Sequence, residues 1–167
     1  MPSRPAASVP PAMASPFFEF EQDFVGSLRC IPMVVRHRLD TCGVKLKLEA
    51  WNKFSQPERS ALVEWPCDSA EAVEHYRGRL QALITEKTGA PAKTLAIASL
   101  PDWQNLDAIP AAVVEKFACQ QIPLSLQQWS QLNELQRFAL IKLSRSSHEN
   151  NNFLPAVQEF NLMTPPD

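Results

Sequence analysis

The same helical frame occurs twice in the sequence. "IPMVVRHRLDTCGVKLKLEAWNKFSQPERSALV", residues 31–63, and "IPAAVVEKFACQQIPLSLQQWSQLNELQRFALI", residues 109–141, align without a gap at an offset of 78. Ile31/Ile109, Pro32/Pro110, Val35/Val113, Leu46/Leu124, Leu48/Leu126, Trp51/Trp129, Arg59/Arg137, Ala61/Ala139 and Leu62/Leu140 are identical pairs. Leu39/Phe117, Val44/Ile122 and Phe54/Leu132 keep apolar character. A frame repeated at fixed spacing is one supersecondary unit used twice, so whatever fold the first copy adopts the second must also satisfy.

Each copy reads as helical. Pro32 and Pro110 stand where a helix opens, a place that tolerates a missing amide. Val35 and Leu39 follow at i, i+4 on one apolar stripe, and Gly43 supplies a stop. A short L-x-L-x-x-W segment comes next and carries Trp51 or Trp129, both expected in the core. Ser55-Gln56-Pro57-Glu58 is then a capping box, and Asn133-Glu134-Leu135-Gln136 is the same device with amides. After the first copy, Asp68-Ser69-Ala70-Glu71 opens a long helix whose stripe is Val73, Tyr76, Leu80, Leu83, Ile84 and Lys87, ending at Gly89. Residues 90–108 carry Pro91 and Pro101 and show no period; within them "KTLAIASL" is the one segment with some strand character. The expected fold is all-α, a single compact helical domain built on two related units, 31–63 and 109–141, and spanning 17–160. A Pro-rich tail, 1–16, is expected to be disordered and 161–167 to be a flexible tail; Met13 is an alternative start.

Composition then narrows the function. A net charge of −2 lacks the basic excess of a dedicated nucleic-acid binder. No apolar run reaches the length of a membrane span, and the N-terminal stretch has no apolar core of a secretory signal. Four irregularly spaced cysteines do not make a disulfide framework, so the expected setting is a reducing cytoplasm.

"RCIPMVVRHRLDTCG", residues 29–43, invites a metal or redox reading through Cys30, His37 and Cys42, with Cys67 as a further ligand. Helix geometry separates the first three. Across residues 31–42, Cys30 and Cys42 would lie roughly 18 Å apart along the axis, beyond the reach of one bridge or one ion. Cys30 aligns with Ala108 and Cys42 with Gln120, so the frame itself does not require sulfur there. A metal or iron–sulfur carrier therefore needs Cys67, Cys119 or His75 to fold against one end of that helix.

No other constellation carries catalysis. Ser146, Ser147, His148 and Glu149 are sequence neighbours, whereas a nucleophile, its base and an orienting group meet from distant positions. HExxH, CxxC and phosphate-cradling glycine loops are absent. No enzyme and no bound cofactor is expected. Lys142, Arg145, His148, Glu149, Asn150 and Asn152 form a polar cluster suited to recognition, with Asn152 also placed to cap a short helix. Arg59 and Arg137 recur at one place in the frame. Each is expected to lay its stem on the neighbouring tryptophan, with a partner-binding anchor as the alternative.

"FEFEQDFVGSLRCIPMVVRHRLDTCGVKLKLEAWNKFS", "ERSALVEWPC", "TGAPA" and "QRFALIKLSRSSHENNNFLPAVQEF" together resemble the nitrate reductase-associated protein family, small proteins found chiefly in cyanobacteria, over about residues 17–160. That resemblance implies an accessory role for assimilatory, ferredoxin-dependent nitrate reductase as the protein partner, in enzyme maturation or activity. It implies no catalytic residue and says nothing of oligomeric state.

Overall fold

The computed structural model describes residues 16–145 and 151–163, and these are helical with no strand among them. The helices are α1 (Gln22–Val25), α2 (Met33–Cys42), α3 (Leu48–Lys53), α4 (Gln56–Glu64), α5 (Ala70–Thr88), α6 (Ala111–Cys119), α7 (Leu126–Gln131), α8 (Glu134–Arg145) and α9 (Phe153–Glu159). Glu19–Glu21 and Asp102–Gln104 add single 3-10 turns.

The local signals act at the predicted places. Pro32 and Pro110 are the extended residues immediately before α2 and α6. Ser55 Oγ accepts from the Glu58 amide and Glu58 returns a bond to the Ser55 amide. Asn133 and Gln136 exchange the same pair of bonds. Ser69 caps α5, and Gly89 ends it at φ +90°. A further capping box at Ser125–Gln128, starting α7, went unread in the sequence although it is written in the same S-x-x-Q form. Asn152 precedes α9 as expected but makes no side-chain cap, because its backbone is already helical (φ −100°, ψ −7°) instead of extended.

Helix starts recur at matching intervals: Met33, Leu48 and Gln56 open α2–α4, and Ala111, Leu126 and Glu134 open α6–α8. After α2, Gly43 turns left-handed (φ +74°) and the Val44 amide donates to Leu39 O. After α6, Gln121 turns left-handed (φ +58°) and the Ile122 amide donates to Phe117 O.

Two apolar clusters form the interior. Val35, Leu39, Trp51 and Leu62 pack with Tyr76, Leu80 and Ile84 of α5. Val113, Phe117, Trp129 and Leu140 pack with Phe153, Ala156 and Val157 of α9. Helix α8 lies against α2, α6 and α9 and so joins the two clusters. Both tryptophans are fully buried, and each indole N–H finds a carbonyl from the segment preceding its helices: Trp51 donates to Leu28 O (2.7 Å) and Trp129 to Asn105 O (3.0 Å). Satisfying that donor is what lets so large a side chain sit in a dry interior.

The segment from 90 to 108 remains irregular. "KTLAIASL" does not form a strand. It makes one antiparallel bridge, Val44 with Thr94, supported by Lys45 N to Lys93 O (2.9 Å) and Leu95 N to Gly43 O (2.7 Å). Leu162 lies within the stretch from 161 expected to be a flexible tail; it is buried, and its amide donates to Val157 O.

Candidate functional site

The cysteine–histidine set does not converge. Cys30 precedes α2, His37 lies mid-helix and Cys42 ends it, and all four cysteines are free. Among the described residues, no group of three or more His, Cys, Asp or Glu side chains is placed to hold a metal ion. Cys42 and Cys67 lie within electrostatic reach of each other and of Tyr76. Burial pushes the Cys42 thiol up to about 11, the nearby Cys67 adds to this, and Arg77 opposes it. Burial likewise raises Cys67. A thiol held protonated at neutral pH is a poor nucleophile.

His37 instead serves the α2–α8 contact. Its Nε2 lies 2.8 Å from Glu134 Oε2, at ion-pair distance but without hydrogen-bond alignment. Its ring meets Phe138 and Trp103 edge-on. Burial lowers its pKa, and the facing Glu134 carboxylate only partly offsets this.

The two recurrent arginines spend their donors on the chain itself. Arg59 reaches Trp51 O (3.2 Å), Asn52 O (3.1 Å), Ser27 O and Leu28 O, with its guanidinium 5.8 Å from the centre of the Trp51 ring. Arg137 is buried, donates to Trp103 O (2.7 Å) and to Leu132 O, and is held below its ordinary pKa by that burial. Each ties the segment before its unit to the helices inside it. Their spacing in the frame is therefore accounted for by folding.

Lys142 and Arg145 stand on the outer face of α8. Lys142 Nζ lies 2.8 Å from Asp40 Oδ2 and over the Phe138 ring, and Arg145 reaches Asp102 Oδ2 at 3.3 Å. Asn152 sits at the start of α9. His148, Glu149 and Asn150 lie outside the described residues.

The sequence reading passed over Glu21 and took the Leu95–Leu100 run only as a segment with some strand character. Glu21 is a buried carboxylate that accepts from the Met33 amide at the start of α2 (2.8 Å) and from the Phe18 amide (3.1 Å). Desolvation raises its pKa, against the lowering pull of those two bonds. With Phe18 and Phe20 stacked on each other and edge-on to Phe160, it pins the N-terminal segment across the second cluster. The local signal is the F-x-x-E spacing, which in a 3-10 turn brings the Glu21 carboxylate back to the Phe18 amide.

The second feature is the run from Leu95 to Leu100. All six residues are exposed, Leu95 by 41%, Ile97 by 53% and Leu100 by 60%. Its base is fixed by the bonds to Gly43 and Lys45. Alongside it opens a groove of about 480 Å³ bordered by Asp40, Thr41, Trp103 and Lys142. Exposed apolar residues on a run anchored at Lys93 and Leu95, next to an ion pair and an indole, make the arrangement of a protein-contact surface.

A family model described as "Conserved nitrate reductase-associated protein" matches residues 17–160. The chain belongs to that family. The nitrate reductase-associated match takes in every helix from α1 to α9, the Leu95–Leu100 run and the groove beside it. No curated protein and no solved structure matches the chain at a significant level.

Proposed function

We propose that this protein is an accessory factor that binds nitrate reductase directly and assists the enzyme's maturation or activity without catalysing a reaction itself. The family's description carries the association with nitrate reductase. The observation that carries binding as the mode of action is the exposed Leu95–Leu100 run. Six consecutive exposed residues, three of them large and apolar, leave surface that water disfavours and that a partner would cover. The fixed backbone beneath lowers the ordering cost of docking. The scaffold is read as two copies of one helical unit, 31–63 and 109–141. That reading is supported by the gapless alignment, the matching helix starts and the left-handed residues at 43 and 121. The copies differ outside the frame, and the run lies in the connection between them. The setting proposed is the cytoplasm, where the reduced cysteines are at home.

Titration of purified nitrate reductase with the full chain by calorimetry tests the reading. The wild type is expected to bind, and an Ile97→Asp, Leu100→Asp double variant to bind at least tenfold more weakly, since a charge replaces each apolar contact. Equal affinities would remove the run from the interface.

A further inference from the structure

We propose that the groove between α3, the end of α5 and residues 90–93 is a docking site for an acidic segment of a partner protein that also carries an apolar side chain. This deepens the accessory reading above and rests on it for the partner's identity.

Four of the chain's seven lysines, Lys45, Lys47, Lys53 and Lys93, line this one groove of about 390 Å³, against a single acid, Glu49. The chain as a whole is net negative, so the local excess is a concentration of charge and not a sample of the average. All four are exposed. Among the described residues none of them reaches a carboxylate at ion-pair distance. The other three lysines are each engaged: Lys87 with Glu58 (3.4 Å), Lys142 with Asp40 (2.8 Å) and Lys116 over the Phe153 ring (5.4 Å). Like charges crowded around one opening repel, and folding alone gives no return for that cost.

The repeated frame says the same from the sequence. "VKLKLEAWNK" at 44–53 aligns with "IPLSLQQWSQ" at 122–131. Val44/Ile122, Leu46/Leu124, Leu48/Leu126 and Trp51/Trp129 keep the packing residues, while Lys45, Lys47, Glu49 and Lys53 face Pro123, Ser125, Gln127 and Gln131. The second copy builds α7 with no charge at any of these places, so the lysines answer to something other than the helix.

The groove is preformed. Gln81 fixes its far wall through reciprocal bonds with Ala92, accepting from the amide (2.8 Å) and donating to the carbonyl (3.0 Å). Lys45 N to Lys93 O closes one end, and Thr88 Oγ1 donates to Ala90 O near the other. Its lining also has an apolar part, with Ala50, Ile84 and Pro91 among the residues that border it together with the lysines. A bare inorganic anion would use the lysines and leave that apolar part wet. An acidic peptide with one aliphatic or aromatic side chain would use both, and lysine stems would add apolar wall. The chain's own N-terminal segment does not fit, since residues 1–15 contain an arginine and no acid.

The test uses the full chain, a synthetic octapeptide of Asp and Glu around a central Leu-Phe pair, and a K45Q/K47Q/K53Q/K93Q variant, which removes the four charges and, at the three positions inside the frame, writes uncharged side chains as the second copy does. The wild type is expected to bind the peptide with amide shifts at Ala50, Thr88 and Lys93, and binding should weaken between about 50 and about 300 mM salt. The quadruple variant, with an unchanged melting curve, is expected to lose affinity roughly tenfold or more. It should also bind nitrate reductase more weakly and with a flatter salt dependence. Equal binding of peptide by the variant overturns the proposal, as does reproduction of the same shifts by inorganic phosphate alone. A dimer of this chain abolished by the four substitutions overturns it in favour of a second copy. If the variant binds nitrate reductase as the wild type does, the site is overturned and the accessory reading stands. If the peptide binds in the groove and nitrate reductase binds neither protein, the site stands and the accessory reading falls.

Discussion

Replacing Gly43 by alanine tests the link between the end of α2 and the exposed run. Gly43 ends α2 at φ +74°, where an L-residue pays about 1–2 kcal/mol. It also faces the chain it supports: a Cβ there would stand 2.7 Å from Leu95 O and 3.0 Å from Ile97 Cγ1. The first of these atoms is backbone, so the 95–97 segment itself must move. Overpacking of this kind adds about 1–3 kcal/mol. The sum, about 2–5 kcal/mol, corresponds to a fall in Tm of roughly 5–20 °C for a chain of this size. Gly89→Ala is the internal control. Its φ is +90°, but a Cβ there meets nothing within 4 Å, so only the conformational part remains. Gln121, left-handed at φ +58° and exposed, already shows that the turn accepts a side chain where no strand of backbone approaches. Thermal melts of both variants, with hydrogen exchange at the Leu95 amide, measure the difference. Gly43→Ala is expected to melt well below Gly89→Ala and to lose protection at Leu95, whose amide donates to Gly43 O. Equal melting of the two variants with Leu95 still protected would refute the argument that this glycine exists to seat the run.

Other outcomes follow from single groups. Glu21→Gln keeps one acceptor where two amides, Phe18 and Met33, need one each, and should cost about 1–3 kcal/mol in a denaturant titration. Arg137→Ala leaves Trp103 O and Leu132 O without their donor in a buried site and should cost about 2–4 kcal/mol by the same assay, against a much smaller loss for exposed Arg145→Ala. His37 has its folded pKa below the ordinary 6.5, so the unfolded chain binds more protons in the window just beneath that value. Stability should therefore fall as pH drops from 6.5 towards the folded pKa, and a His37→Gln variant should show a flatter melting profile across that window. Glu21, raised above 4.5, acts in the opposite sense at lower pH, which is why the comparison is made against the variant and not on the wild type alone.

What the sequence made legible was local chemistry. Capping boxes at Ser55 and Asn133, the stop glycines at 43 and 89 and the buried tryptophans depend on neighbours a few residues away, and each stands where its pattern put it. Helix length was enough to separate Cys30 from Cys42. The remaining features were harder because they depend on distant backbone. Glu21 caps a helix that begins 12 residues later, and nothing in F-E-F-E names Met33 as its partner. Leu95–Leu100 reads as an apolar run open to a strand reading until Gly43 and Lys45 are seen to hold its base and leave the run exposed. Arg59 and Arg137 recurred in the sequence and were open to a binding role. Part of each one's carbonyl set, Ser27 and Leu28 in one case and Trp103 in the other, comes from segments outside the aligned frame. The lysine groove needed both the 44–53 stretch and Lys93 brought together across the Val44–Thr94 bridge.

The most direct measurement is a calorimetric titration of nitrate reductase with the full-length wild-type chain, repeated with Ile97→Asp, Leu100→Asp. Saturable binding by the wild type, weakened at least tenfold in the variant while its melting curve is unchanged, is the predicted result. A wild-type chain that gives no binding heat with either the cofactor-free or the complete enzyme would contradict the account.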